Sequence, residues 1–126
     1  RESSASYKRQ QLADYALQFV GGPYQYGGSD PHTGVDCSGF TRYVYQHGAG
    51  ITLNRSSRGQ ALQGKEISAD QMRPGDLLFY GSKSNIDHVA MYIGEGKIVH
   101  ASTERTGITI SNWNYRNPVK IRSIME

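Results

Sequence analysis

Cysteine is almost missing from this sequence, with Cys37 as the single thiol. One cysteine excludes an intrachain disulfide framework and a Cys-x-x-Cys metal clip. Long apolar runs are missing too, since none approaches the ~18 residues that a membrane span requires. An excess of one charge is also lacking: 14 Lys+Arg stand against 11 Asp+Glu, a net +3. That balance biases the chain weakly toward polyanionic surroundings and falls short of a nucleic-acid-binding surface. Charged residues are 20% of the total, too few for a typical disordered chain. What the 126 residues do carry in quantity is glycine, at 15, and tyrosine, at 9, the latter an amphipathic core filler. A chain of this length buries roughly two-thirds of its unfolded surface, so one core is feasible. The sequence opens without Met and without a signal-peptide pattern over Arg1–Tyr7. The expectation is a mature or excised fragment of a protein with further modules.

The polar stretch Arg1–Ser6 is expected to be a flexible tail, leaving residues 7–126 as one domain. Leu12, Ala16, Phe19 and Val20 recur at helical spacing and predict an amphipathic helix over Tyr7–Val20. Gly21-Gly22 stops it and Pro23 prevents its resumption. Pro23–Gly34 holds too much Gly and Pro for regular structure. A second helix is expected from Asp36 or Cys37 to about His47, with Asp36 as N-cap and Gly48 just past the C-terminus. Asn54–Leu62 reads as a short polar helix capped by Asn54. After Pro74-Gly75 the period changes. Asp76–Tyr80, His88–Ile93, Lys97–Ala101, Gly107–Ser111 and Val119–Ile124 are short β-branched or aromatic runs between turn residues. Helices first and strands later predict an α+β domain with an antiparallel sheet.

A lone cysteine is most often a small buried hydrophobe. Cys37, however, is expected at a helix N-terminus, where free N–H groups and the positive dipole end favour a thiolate. His88 opens one predicted strand and His100 closes the next. A three-residue loop, Gly94-Glu95-Gly96, sets Ile93 against Lys97 and Ala90 against His100, with His88 on the face of His100. A two-residue loop puts the histidines on opposite faces. Two histidines converging near a helix-terminal cysteine suggest a general base, His88, oriented by His100. The alternatives are two surface histidines or a Cys/His metal site. For zinc, Asp87, Asp36 and His32 are available, none at a usual ligand spacing.

Five linked stretches carry more than any one residue: Gly22-Pro23-Tyr24-Gln25-Tyr26-Gly27-Gly28, Gly34–Phe40 (GVDCSGF), Arg73–Tyr80 (RPGDLLFY), His88–Gly94 (HVAMYIG) and Ile98–Ala101 (IVHA). In order and without a large insertion, from about Tyr7 onward, they resemble the NlpC-type cell-wall peptidases. The resemblance implies a papain-like fold, helices packed on a five- to six-stranded antiparallel sheet, and a catalytic domain spanning 7–126. It implies cleavage of the bacterial peptidoglycan stem peptide, commonly between γ-D-glutamate and the following lysine or diaminopimelate. Residue by residue, it makes Cys37 the nucleophile, His88 the base and His100 the orienting group. Tyr24 matches the family tyrosine beside the nucleophile, and Asp36 and Ser38 match positions contacting the amine-bearing end of the stem. The enzyme so implied is secreted or at the bacterial cell surface, needs no metal or other cofactor, and is one module of a longer protein. Its partner is the stem peptide, not nucleic acid.

Amide hydrolysis needs a nucleophile, a proton donor for the leaving amine and a stabilised oxyanion. Cys37 and His88 supply the first two; the Cys37 N–H and the Tyr24 hydroxyl suit the third. A free thiol outside the reducing cytosol is a liability, which fits retention for catalysis. Arg55 sits on the polar helix, where a solvated face competes with pairing to a stem carboxylate. Asp36 has a capping role beside its substrate role. Asp76 reads as a turn or cap residue, and His32 and His47 as surface histidines. Trp113 and Tyr115 either line a groove or pack over the sheet. Two other functions compete: a papain-like amidase or acyltransferase on another acyl group, and a module that binds stems without cutting them.

Overall fold

The computed structural model describes residues 4–125. In chain order the elements are α1 (Ser4–Leu17), β1 (Ser29–Asp30), β2 (Gly34–Val35), α2 (Cys37–Ala49), α3 (Ser57–Gln60), β3 (Lys65–Glu66), a 3-10 turn (Ala69–Gln71), β4 (Leu77–Ser82), β5 (Asn85–Gly94), β6 (Lys97–Thr103), β7 (Gly107–Asn112) and β8 (Pro118–Ser123). The last five strands and β3 form one antiparallel sheet in the order β3-β8-β4-β5-β6-β7. This is the α+β arrangement with an antiparallel sheet that the five short runs predict, and β3 adds the sixth strand, within the count the resemblance implies.

Strand alternation sends the two sets of side chains to opposite faces. Leu77, Phe79, Val89, Met91, Val99 and Ala101 meet Leu12, Ala16, Phe40, Val44 and Tyr45 of α1 and α2 in the main core. The other face gathers Leu78, Tyr80, Ala90, Ile98 and Ile121 under Ile67, Met72, Tyr92 and Trp113. Each fully buried Leu, Val, Ile, Phe or Met among them contributes about 1.5–3 kcal/mol over its exposed state, so the sheet is held from both sides.

Helix α1 differs from its expected span. It begins at Ser4 and so takes in Ser4–Ser6 of the expected tail, while Arg1–Ser3 lie outside the described residues. It ends at Leu17, leaving Val20 42% exposed. Its buried stripe includes Arg9, which periodicity of apolar residues cannot reveal. The Arg9 guanidinium reaches Asp76 Oδ1 at 2.7 Å, the Pro74 carbonyl at 3.1 Å, Ser123 Oγ at 2.9 Å and the Met125 carbonyl. Asp76 also accepts the Arg73 N–H at 2.8 Å, as its turn role predicts. With both charges buried, removing either partner is costly because it strands the other.

Helix α2 runs two residues past His47, to Ala49, and closes on Gly50 in the left-handed conformation rather than on Gly48. Gly48 serves packing instead: a Cβ there would lie 2.7 Å from Leu12 Cδ1. Helix α3 is shorter than expected and is capped by Ser56, whose hydroxyl accepts the Gly59 N–H, not by Asn54. Asn54 is turned to other work, its carbonyl accepting from Gln60 Nε2 at 2.8 Å. The Gly-rich segment after Pro23 contains the two-residue ribbon β1–β2, which short polar strands do not announce. The 94–97 hairpin corrects another expectation. Its loop has two residues, Glu95 (φ 55°) and Gly96 (φ 76°), and pairs Gly94 with Lys97. A bulge between Tyr92 and Gly94 restores the parity, so Met91 faces Val99 and the two histidines still share a face.

Candidate active site

Cys37 is the first residue of α2 because Asp36 ends the preceding extended chain with ψ −179° and caps the helix, its Oδ1 accepting the Gly39 N–H at 2.8 Å. The Tyr24–Gly28 loop is fixed against the same point. Val35 N–H donates to the Pro23 carbonyl and Gln25 N–H to the Val35 carbonyl, both at 3.2 Å. Asp36 N–H donates to the Gly28 carbonyl at 3.2 Å, and Asp36 Oδ2 accepts from Gly27 N–H at 3.0 Å. This approach explains Gly39, where a Cβ would stand 2.4 Å from the Gly28 carbonyl oxygen.

The result is an open cleft of about 510 Å³ lined by Tyr24, Tyr26, Asp36, Cys37, Ser38, Arg55 and Asp87 among others. A wider hollow of about 650 Å³, beside Ser4, Lys8, Gly48 and Met125, contains neither cysteine nor histidine among its lining residues and offers no comparable chemistry. Within the cleft Arg55 is engaged rather than free. Its guanidinium meets Asp36 Oδ1 at 3.0 Å and Oδ2 at 3.1 Å, Ser38 Oγ at 3.0 Å and the Gly28 carbonyl at 2.9 Å. Asp36, Ser38 and Arg55 thus form one ion-paired unit. The arginine keeps 38% of its side chain exposed and the aspartate 13%.

The histidines come from the sheet. Pairing between β5 and β6 runs from Gly94–Lys97 to Met91–Val99 and goes no further. Beyond it the Val89 main chain comes beside the Cys37 thiol, where it favours the thiolate. His88 Nε2 lies 2.7 Å from His100 Nδ1, and His100 Nε2 lies 2.9 Å from Ser111 Oγ. Tyr80 and Tyr115 close around the pair, their ring centroids 5.9 Å from His88 and 5.4 Å from His100. Arg116 lies over Tyr80 and pairs with Asp87 at 3.1 Å. Ser111 and the Asp87–Arg116 pair escaped the sequence reading. Only the β6–β7 register, Ile98 opposite Ser111, would have identified the serine. Trp113 packs over the second core and Tyr115 over the histidines, so the packing reading holds for both. His32 and His47 are exposed at the surface. His32 contacts Asp30 at 2.8 Å and His47 stacks on Tyr43 at 3.9 Å between centroids.

Burial sets the protonation of the reactive groups. It pushes the Cys37 thiol above its ordinary value, helped by Asp36 and opposed by the Val89, Ser38 and Cys37 amides. The thiolate bias expected of the helix N-terminus is therefore outweighed by desolvation. Burial, then the neighbouring His100 and Arg116, pushes His88 down to about 3 against the pull of Asp87. Burial alone takes His100 down to about 4. The Tyr24 phenol is raised, by burial first and by Cys37 next, so it stays an O–H donor beside the thiol. The resting site is a neutral thiol next to two neutral imidazoles.

Comparison with known proteins follows this geometry closely. The NlpC/P60 family model matches residues 21–122. The gamma-DL-glutamyl hydrolase of Bacillus subtilis (strain 168) is 41% identical over 108 residues, which cover 85% of this chain and 25% of that protein. The murein DD-endopeptidase MepS/murein LD-carboxypeptidase of Escherichia coli (strain K12) is 37% identical over 106 residues, 84% of this chain and 55% of that protein. The chain thus spans about a quarter of the first relative and about half of the second. The crystal structure of the NlpC/p60 domain of the peptidoglycan hydrolase SagA superposes with a TM-score of 0.85 at 35% identity, covering 92% of this chain and 98% of that domain. With the sheet, the cleft and a family match over most of its length, the chain belongs to the NlpC/P60 family, with the papain-like fold of that family's domains.

Proposed function

We propose that this domain is a peptidoglycan endopeptidase that cleaves the stem peptide between γ-D-glutamate and the following diamino acid by Cys-His-His catalysis. The observation that carries the reading is the 2.7 Å His88–His100 hydrogen bond behind a cleft on which the Cys37 thiol opens. Because His88 Nε2 is occupied by His100, Nδ1 is the nitrogen left to act as base. The Cys37 thiol attacks the γ-carbonyl carbon and its proton passes to His88 Nδ1. The carbonyl oxygen becomes an oxyanion, met by the Cys37 N–H and the Tyr24 hydroxyl. His88 returns the proton to the departing amine as the C–N bond breaks. A water molecule, deprotonated by the same nitrogen, then hydrolyses the thioester and restores the thiol.

The Asp36–Ser38–Arg55 unit binds the amine-bearing end of the stem. Ion pairing changes the expected division of labour there. Arg55 does not stand as an independent carboxylate receptor, because Asp36 already takes both faces of its fork. Arg55 keeps 38% of its side chain exposed and Asp36 13%, and the carboxylate is what attracts the amine. The bond assignment is supported by the name of the Bacillus subtilis relative. The name of the Escherichia coli relative supports a second reading, cleavage of a DD cross-bridge. The domain acts at the bacterial cell wall, outside the membrane, as one module of a longer protein with further wall-binding or catalytic domains. No described helix is long and apolar enough to cross a membrane.

Mass spectrometry of defined muropeptides after digestion tests this reading. Stems carrying lysine and stems carrying diaminopimelate are compared, free and cross-linked. Fragments ending in γ-D-glutamate are the expected product. Fragments cut only at the D-alanyl cross-bridge would move the assignment to the second reading, and intact muropeptides would reject both.

A further inference from the structure

We infer that Ser111 is a positioning residue that fixes the proton order of the histidine pair, and this inference rests on the reading of His88 as the base. Its placement follows from the sheet. His100 is opposite Thr109 and Ile98 opposite Ser111, so Ser111 stands one diagonal step from His100 on the same face. The Met91–Val99 register puts Ala90, and hence His88, on that face as well. His88, His100 and Ser111 form a diagonal line across β5, β6 and β7, with spacings of 2.7 Å and 2.9 Å.

Proton order along such a line is a chemical choice. His88 serves as a base only with its proton on Nε2 and Nδ1 free. That proton must be received by His100 Nδ1, which places the proton of His100 on Nε2, facing Ser111. A hydroxyl either accepts or donates, so in the neutral site the reverse order is also available. The reverse order puts a proton on His88 Nδ1 and disables the base. Once His88 carries both protons the ambiguity ends, because Ser111 Oγ is then the acceptor closing the line.

His100 is only 1% exposed and Ser111 is half-buried, so the hydroxyl is the ordered partner that His100 Nε2 meets. Without it, the working order leaves a buried N–H unpaired, whereas the reverse order leaves only a lone pair unpaired. The unpaired donor is the costlier of the two. Removal of the hydroxyl therefore tilts the pair toward the inactive order. The Ser111 side chain also lies outside the cleft's lining, so substrate affinity should not register its loss.

The experiment uses ring-nitrogen NMR of the wild-type domain, Ser111→Ala and Ser111→Thr, with kcat and KM measured on a synthetic stem peptide. The wild type is expected to show both histidines protonated on Nε2. Ser111→Ala should populate the Nδ1–H form of His88 and lower kcat about fivefold at an unchanged KM, the loss of one ordinary hydrogen bond. Ser111→Thr, which keeps the hydroxyl, should restore both readouts. Unchanged tautomers in Ser111→Ala overturn the inference whatever the activity, as does full kcat in that variant. Shifted tautomers in a domain that cuts no stem peptide would uphold the proton order and reject the hydrolase reading instead.

Discussion

The helix side of the cleft and the sheet wall behind it keep their polar groups by opposite means. On the helix side, Asp36 and Arg55 pair bidentately and keep part of their side chains exposed. On the sheet side, His88 and His100 have lost their charge to burial and hold each other through one hydrogen bond. The exposed wall is suited to attracting and orienting an ionic ligand. In the proposed mechanism the buried side relays protons through His88, with His100 behind it. Cys37 stands at the seam, as the first residue of α2 on one side and with the Val89 main chain of the other beside its thiol.

Substitutions that remove the chemistry at the seam should have the largest effect. Cys37→Ala is expected to abolish turnover, a loss of at least about 10³-fold, with an unchanged circular dichroism spectrum and melting temperature. On the buried wall, His88→Ala should cost roughly 10²–10⁴-fold in kcat, the usual worth of general acid–base catalysis. His100→Ala should cost less, because orientation is a smaller task than proton transfer. Equal or reversed losses in steady-state kinetics would mean that the two roles are exchanged.

The exposed wall should respond in binding and stability rather than in the chemical step. Asp36→Ala removes the helix cap and unpairs Arg55. We expect a raised KM and a stability loss of about 1 kcal/mol in urea denaturation. Asp36→Asn, which still caps, should recover the stability and not the KM. Salt should weaken this wall's contribution to KM more than it changes kcat, since exposed pairs are screened.

The buried wall predicts a smaller effect that depends on pH. The values near 3 and 4 for His88 and His100 lie below the ordinary imidazole value of 6.5. As pH falls below 6.5 the unfolded chain takes up these protons first. The stabilisation by neutral burial is whole above that pH and declines toward pH 4. Melting temperatures across that window should fall less steeply in a His88→Asn, His100→Asn double variant. A chelator is expected to change nothing, and inhibition reversed by added zinc would revive a metal role.

Much of this arrangement is legible in the residues themselves. Asp36-Cys37 reads as a cap and helix start, and alternation in HVAMYI and KIVHA gives two strands whose histidines share a face. That last reading reached the observed parity by a different route, since a bulge at Ile93 compensates for the shorter turn. What stayed hidden depends on contacts between distant segments. Arg9 looks like a solvent-facing residue until Asp76, 67 positions away, is brought against it. Arg55 looks like a free cation until Asp36 folds onto it. Ser111 has no signature beyond its place in a strand. The upward shift of the thiol is likewise a property of packing density around Cys37, not of its helix position.

The central claim is that Cys37 cuts the stem peptide, and the most direct test digests one defined muropeptide with the wild-type domain and with Cys37→Ala side by side. The account predicts that the wild type frees the amine of the diamino acid and that the variant, folded and able to bind, leaves the muropeptide intact. Release of the same fragments by Cys37→Ala would contradict it.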